Sequence, residues 1–510
     1  MKKLFKLHKG LAVTMLMLAL AACQKDDLLN FPFPGTGNNP DKLSITFYAL
    51  ASGVSLDKIS TDNPEKVLNS ATITGLQAGE KILAIDFRPA TGQLYGLSST
   101  SRLYVINPET GSARMIGSDP FSPMLEGNIA GFDFNPTVDR IRVVTSSGQN
   151  LRLNPETGAV AAVDGPINGQ AGAQLAASAY DNTIAGATST TLYNLDLSTQ
   201  KLFKQIPPND GTLVEVGSLG LKIEGEGGFD IAAKDGTALG LFEVNKKAIL
   251  FTVDLTNGKA KKITSFTKDD MYTGIAIPTE PVAYAVDATN HLLVFNPNNT
   301  AATVSKPISG MTPGDKIAGI DFRPLNGQLF ALGTSGTIYT LNTSSGAAAI
   351  NGTLSVPLQG THFGFDFNPT VDRIRIISNT GQNLRYNPND GSVLVDGMLN
   401  PGTPAVTASA YTNNFAGATA TMLFNIDTNT DKLYLQNPPN NGTLVEVGAL
   451  GVNVEAANGF DISGTKGIGY ALLSSGSNTK LYTIDTATGS AKEVGNFSYS
   501  VQGFAIGLGF

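Results

Sequence analysis

The chain has 510 residues and a formal net charge of −7; 41% of it is hydrophobic and only 15% charged, with 56 Gly, 26 Pro, one Cys and no Trp. That balance excludes a disordered, collagen-like or polytopic membrane chain, and scarce Lys and Glu beside abundant Gly, Thr and Asn point to an all-β fold of several units. Without the four lysines of residues 1–22, 31 basic residues face 42 acidic ones, a net charge of −11, and no Lys/Arg cluster interrupts it, so no nucleic-acid partner is expected.

Lys2, Lys3, Lys6 and Lys9 precede an apolar run at 11–20 and the small residues Ala21 and Ala22. This pattern marks a secretory signal over residues 1–22, too short for a membrane span. Leu20-Ala21-Ala22-Cys23 resembles the lipobox of bacterial lipoproteins, in which the Cys is lipidated and becomes the first mature residue. Cys23 is the only cysteine, which assigns it to lipidation and excludes a disulfide framework. Gln24-Lys25-Asp26-Asp27 is similar to the acidic tag that sends some Gram-negative lipoproteins to the cell surface. The expectation is an outer-membrane lipoprotein, exposed on the cell surface and anchored to the membrane at Cys23. Residues 23–42, with their Pro, Gly and Asn, read as a flexible tether.

Beyond the tether the chain is written twice. DFNPTVDRIRVVTSSGQNLR at 133–152 returns at 366–385 with fifteen of twenty positions identical. IDFRPATGQLYGL (85–97) returns at 320–332, and PPNDGTLVEVGSLG (207–220) at 438–451. The copies span about 43–279 and 281–510. Within each, an apolar-Asp-Phe-like signature recurs every 44–50 residues, and each step holds about four short alternating segments broken by turns such as Asn-Pro-Glu-Thr-Gly. Four strands per step predicts propeller blades. YTGIAIP (272–278) and VQGFAIGLGF (501–510) each supply an inner strand that the opening strands of their own copy lack. Two tandem five-bladed β-propellers of four-stranded blades, each closed by its last strand, are therefore expected; one ten-bladed ring is the alternative.

The DFNPTVDRIR, GQNLR and IDFRP segments resemble a bacterial family, domain of unknown function 4394, over nearly all of both copies. The resemblance implies a propeller fold and carries no activity or catalytic residues.

Outside the signal segment the chain has two histidines, His291 and His362, and neither recurs in the other copy. A duplicated zinc site or His-based triad is thereby disfavoured, and no Walker or nucleophile-elbow motif occurs. Three candidate sites remain. The first is a polar blade face, Asp133, Asn135, Arg142, Asn150 and Arg152, repeated as Asp366, Asn368, Arg375, Asn383 and Arg385. It reads either as an Asp-Arg-Asn lock between blades, with Asp139 closing the turn set by Pro136, or as an anion pocket. The second is the inner-strand carboxylates Asp86, Asp133 and Asp230, with Asp321, Asp366 and Asp461, which could converge on Ca²⁺ unless Arg88 and Arg323 neutralise them. The third, around Glu215 and Glu446, reads as a stiff turn. The leading functional expectation is a non-catalytic binding or scaffold module whose partner is an extracellular protein or glycan. A calcium-assisted hydrolase or lyase, and a glycan-binding component of an outer-membrane uptake system, are the alternatives.

Overall fold

The computed structural model describes residues 43–127, 129–266, 271–456 and 458–510. The signal segment, Cys23 and the tether lie outside them. Every regular element among the described residues is a β-strand, apart from two short 3-10 turns, Pro208–Asp210 and Pro439–Asn441. The strands form ten antiparallel four-stranded sheets.

Five sheets build the first ring. Blade 1 carries Thr46–Ala51, Ser55–Ser60 and Val67–Thr72, and its inner edge is Tyr272–Ala276 from the far end of the copy. Blade 2 runs from Ile82 to Ile116, blade 3 from Ala130 to Val163, blade 4 from Leu175 to Ser218 and blade 5 from Glu224 to Ser265. The innermost strands Tyr272–Ala276, Ile82–Phe87, Ala130–Asn135, Leu175–Tyr180 and Glu224–Ile231 neighbour one another in a closed cycle. In the second ring Gly503–Ile506 completes blade 6 beside Ala283–Val286, and blades 7 to 10 follow from Ile317 to Phe497. This cycle also closes on itself, so the ten-bladed alternative is excluded. Borrowing the last strand leaves neither ring an open inner edge, which is the physical reason for the split blade.

Cohesion comes from apolar faces stacked between successive blades. Phe132, Phe134, Ile141, Val143, Leu151 and Leu153 of blade 3 pack on Tyr95, Leu97 and Leu103 of blade 2. At about 1.5–3 kcal/mol per large apolar side chain, such stacking is the main favourable contribution around each ring. The Asn-Pro turns dock one blade on its neighbour: Asn107 Oδ1 accepts the Glu109 and Thr110 N–H groups, and Gly111, at φ 74°, lies so near blade 1 that a Cβ would meet Thr72 O at 2.1 Å.

The rings also grip each other. Arg88, fully buried, donates to Asp139 Oδ1 (2.9 Å) and to Gly327 O of the second ring (2.9 Å). Tyr284 OH donates to Ala90 O (2.9 Å), and the Phe510 ring covers Gly92, leaving no room for a Cβ there. The repeated IDFRP turns therefore meet each other at the interface.

Candidate functional site

Strand alternation turns the apolar side chains of blade 3 towards blade 2 and leaves Arg142 on the opposite face, against blade 4. Arg142 is 2% exposed. Its Nη1 donates to Asp164 Oδ2 (2.6 Å) and Asn150 Oδ1 (2.7 Å), its Nη2 to Asn209 Oδ1 (2.6 Å), and its Nε reaches Tyr180 OH at 3.5 Å. Asn150 Nδ2 donates to Gly165 O and Pro208 O, which ties the blade to the 3-10 turn of blade 4. Arg152, one-third exposed, forks onto Asp164 at 2.8 and 2.9 Å. Blade 8 repeats the cluster: Arg375 meets Asp396, Asn383, Asn440 and Tyr411, and Arg385 forks onto Asp396. Each buried guanidinium is satisfied by fixed protein groups, which is the chemistry of a clamp between blades.

The residues expected on this face separate. Asp133 is the cross-strand partner of Arg142, yet its carboxylate turns to the ring axis and accepts the Tyr180 N–H at 3.0 Å. Asp164 takes its place as the counter-ion. Asn135 and Asn368 leave the network altogether, each accepting from the N–H and hydroxyl of the Thr two residues on. Asp139 closes the expected turn through its N–H to Asn135 O, while its carboxylate serves Arg88. Asp164, Asn209 and Tyr180, with Asp396, Asn440 and Tyr411, were missed. The duplicated Asp-Gly at 164–165 and 396–397 was the available signal.

The inner-strand carboxylates do converge. Asp86, Asp133 and Asp230 are buried and each offers an oxygen within 4.8 Å of the others, as do Asp321, Asp366 and Asp461. Arg88 and Arg323 do not neutralise them. Both stand at the strand end, where a long side chain swings out to the next blade's turn: Arg88 pairs with Asp139, and Arg323 with Asp372 and Asn389. Backbone N–H groups serve the carboxylates instead. Asp86 accepts from Phe87 (2.7 Å) and, across to blade 3, Phe134 (2.8 Å). Asp230 accepts from Ile231 and from Ile277 beyond the closing strand, both at 2.6 Å. Burial, then mutual repulsion, pushes Asp86 and Asp133 well above the ordinary carboxylate range, with the N–H bonds pulling back. Burial raises Asp230 to about 7, and Asp461 likewise. Oxygen clusters suit a hard cation such as Ca²⁺, which takes six to eight oxygens. Here the same oxygens latch one blade to the next.

The remaining candidates are peripheral. Glu215 pairs with Lys201 and Glu446 with Lys432, all partly exposed, beside the stiff turns the sequence predicts. His291 is partly exposed, with its Nδ1 2.9 Å from Thr289 Oγ1. His362 lies near Thr361 and is pulled down by burial.

The fold and these clusters define a double five-bladed propeller whose duplicated polar groups hold blade to blade. The chain belongs to the family called domain of unknown function DUF4394, whose profile matches residues 55–276 and 291–505. None of the curated proteins compared matches it. Among solved structures it is similar to PorZ, an essential bacterial surface component of the type-IX secretion system of Porphyromonas gingivalis, at 13% identity and TM-score 0.26, over 90% of this chain and 59% of that one. The extracellular domain of the putative one-component system BT4673 from B. thetaiotaomicron gives 12% identity and TM-score 0.24, over 91% and 61%. The chain thus spans about three fifths of each, at scores too low to carry any property of either protein across.

Proposed function

We propose that the protein is a non-catalytic binding or scaffold module of the bacterial cell surface, tethered through a lipidated Cys23, whose two rings present duplicated surfaces to an extracellular protein or glycan. The observation that carries this reading is the ring interface: Arg88 is buried under the Gly327 turn and Gly92 under Phe510, so the two copies are clamped together by buried contacts. A fixed pair of like surfaces gains avidity for a repeated ligand that a flexible pair spends on ordering. The engagement of Arg142 and Arg375 in blade clamps supports a structural use of the duplicated charges.

Labelled protein applied to arrays of envelope polysaccharides and surface proteins is expected to give saturable binding, with the ligand recovered at unchanged mass. Recovery of a cleaved ligand would overturn the non-catalytic reading. Mass spectrometry of the membrane fraction is expected to find the mature N-terminus at Cys23 carrying acyl chains; an unmodified Cys23 in secreted protein would refute the anchor.

A further inference from the structure

A cleft of about 200 Å³, open to solvent, lies between the rings. Blade 2 forms one wall, and the second ring supplies Phe415, Thr465 and Leu508 on the other. Much of the lining is apolar, from Ile106, Pro108, Phe415 and Leu508, and Phe415 is 37% exposed whereas Tyr284 of the same interface is buried.

One polar group in this lining is buried without a partner, and a second, partly buried, has no counter-ion. Arg114 donates Nη1 to Leu325 O at 2.8 Å, and no carboxylate among the described residues stands within ion-pair distance of it. Burial, only partly offset by the more distant Asp372, and the neighbouring Arg323 push its pKa down, as expected of a cation short of a counter-ion. Gln93 is 8% exposed, and its Oε1 is buried with no hydrogen-bond partner. One turn of the second ring touches both residues: Arg114 bonds Leu325, and a Cβ on Gly327 would lie 2.8 Å from Gln93 Oε1. A cation without a counter-ion and an apolar surface are thus gathered in one cleft.

We propose that the cleft between the rings binds an organic anion with an apolar body, its carboxylate or sulfonate on Arg114 and its hydrocarbon against Phe415, Ile106 and Leu508. A charge-assisted bond made in a partly desolvated cleft is stronger than the same bond in water. The inference rests on the reading of the protein as a binding module and names where one ligand sits.

The probe is 1-anilinonaphthalene-8-sulfonate, which carries a sulfonate, an N–H and two aromatic groups, set against N-phenyl-1-naphthylamine, the same skeleton without the charge. The protein is the chain from residue 44, which packs as a compact unit by itself and holds every strand among the described residues. Fluorescence titration is expected to show one saturable site that prefers the sulfonate about tenfold, equivalent to roughly 1.4 kcal/mol. Arg114→Gln is expected to erase the preference while leaving the neutral probe bound, and Phe415→Ala to weaken both. Unchanged melting curves would show that each variant is folded. A sulfonate preference that survives Arg114→Gln, or no saturable binding at all, overturns the proposal. Neither result touches binding on the envelope arrays, whose loss would count against the binding module itself.

Discussion

Arg142→Ala is expected to cost on the order of 3 kcal/mol, because it removes a buried guanidinium that bonds Asn150, Asn209 and Asp164 and leaves the nearly buried Asp164 carboxylate only the partly exposed Arg152. At the size of one ring that is a fall of about 10 °C in melting temperature. Arg375→Ala should do the same in the second ring, where the partners are Asp396 and Asn440. Arg152→Ala is the internal comparison. Arg152 meets the same Asp164 through two hydrogen bonds, but it is one-third exposed, so its loss should cost about 1 kcal/mol or less. Arg142→Lys keeps the charge and forfeits the fork, since an ammonium cannot reach Asp164, Asn150 and Asn209 in one plane, and it should recover only part of the loss. Differential scanning calorimetry of the four variants decides the matter. Melting temperatures unchanged in both Arg142→Ala and Arg375→Ala would show that the clusters are not clamps and would return them to the list of ligand sites.

The ring architecture was legible because duplication and turn chemistry are local facts. Each blade repeats within one segment of chain, and the missing partner of 45–53 could be matched to 272–278 by pattern alone. Alternation also placed Phe132 and Phe134 opposite Asp133, as the structure has them. It could not say which acid meets Arg142. The choice between Asp133 and Asp164 depends on where the guanidinium ends, several ångströms from its Cα, and on the Tyr180 N–H competing for Asp133 from the next blade. The same limit hid the path of Arg88. Spacing put it beside Asp86, but only the docking of the second ring reveals Gly327 O as its partner across the interface. The cleft at Arg114 was invisible for the same reason, since its walls come from residues some 300 positions apart.

Thermal stability, measured with a chelator present, is expected to fall as pH rises from about 4.5 to 8. An aspartate in the unfolded chain releases its proton near pH 3.9. Asp230 and Asp461 hold theirs in the folded rings until about pH 7, and Asp86, Asp133, Asp321 and Asp366 beyond the ordinary range as well. Between those limits the folded state binds more protons than the unfolded one, so each rise in pH favours unfolding. The stabilisation is complete below the unfolded value and is lost as pH climbs through the folded one. Raising Asp230 from its ordinary value to about 7 corresponds to roughly 4 kcal/mol, and Asp461 contributes similarly in its own ring. Glu80, Asp287 and Asp315 act in the opposite sense: despite burial, the hydroxyl and N–H donors around them lower their values, so their effect lies at more acidic pH. Asp133→Asn separates charge from hydrogen bonding. Asp133 accepts only the Tyr180 N–H, which an amide oxygen can still accept, and the new NH₂ can donate to the neighbouring carboxylates. The variant should therefore gain stability at pH 8, flattening the first ring's share of the slope, and Asp366→Asn, which keeps the Tyr411 N–H bond, should do so in the second. If millimolar Ca²⁺ raises the melting temperature of the wild type at pH 8 but not that of the variant carrying both Asp133→Asn and Asp366→Asn, the three carboxylates of each ring hold a cation, because a cation relieves their repulsion without protons. A wild-type profile that is flat from pH 5 to 7.5 with chelator present would mean that the carboxylates are not protonated in the fold, and the repulsion at the ring axes would need another source of relief.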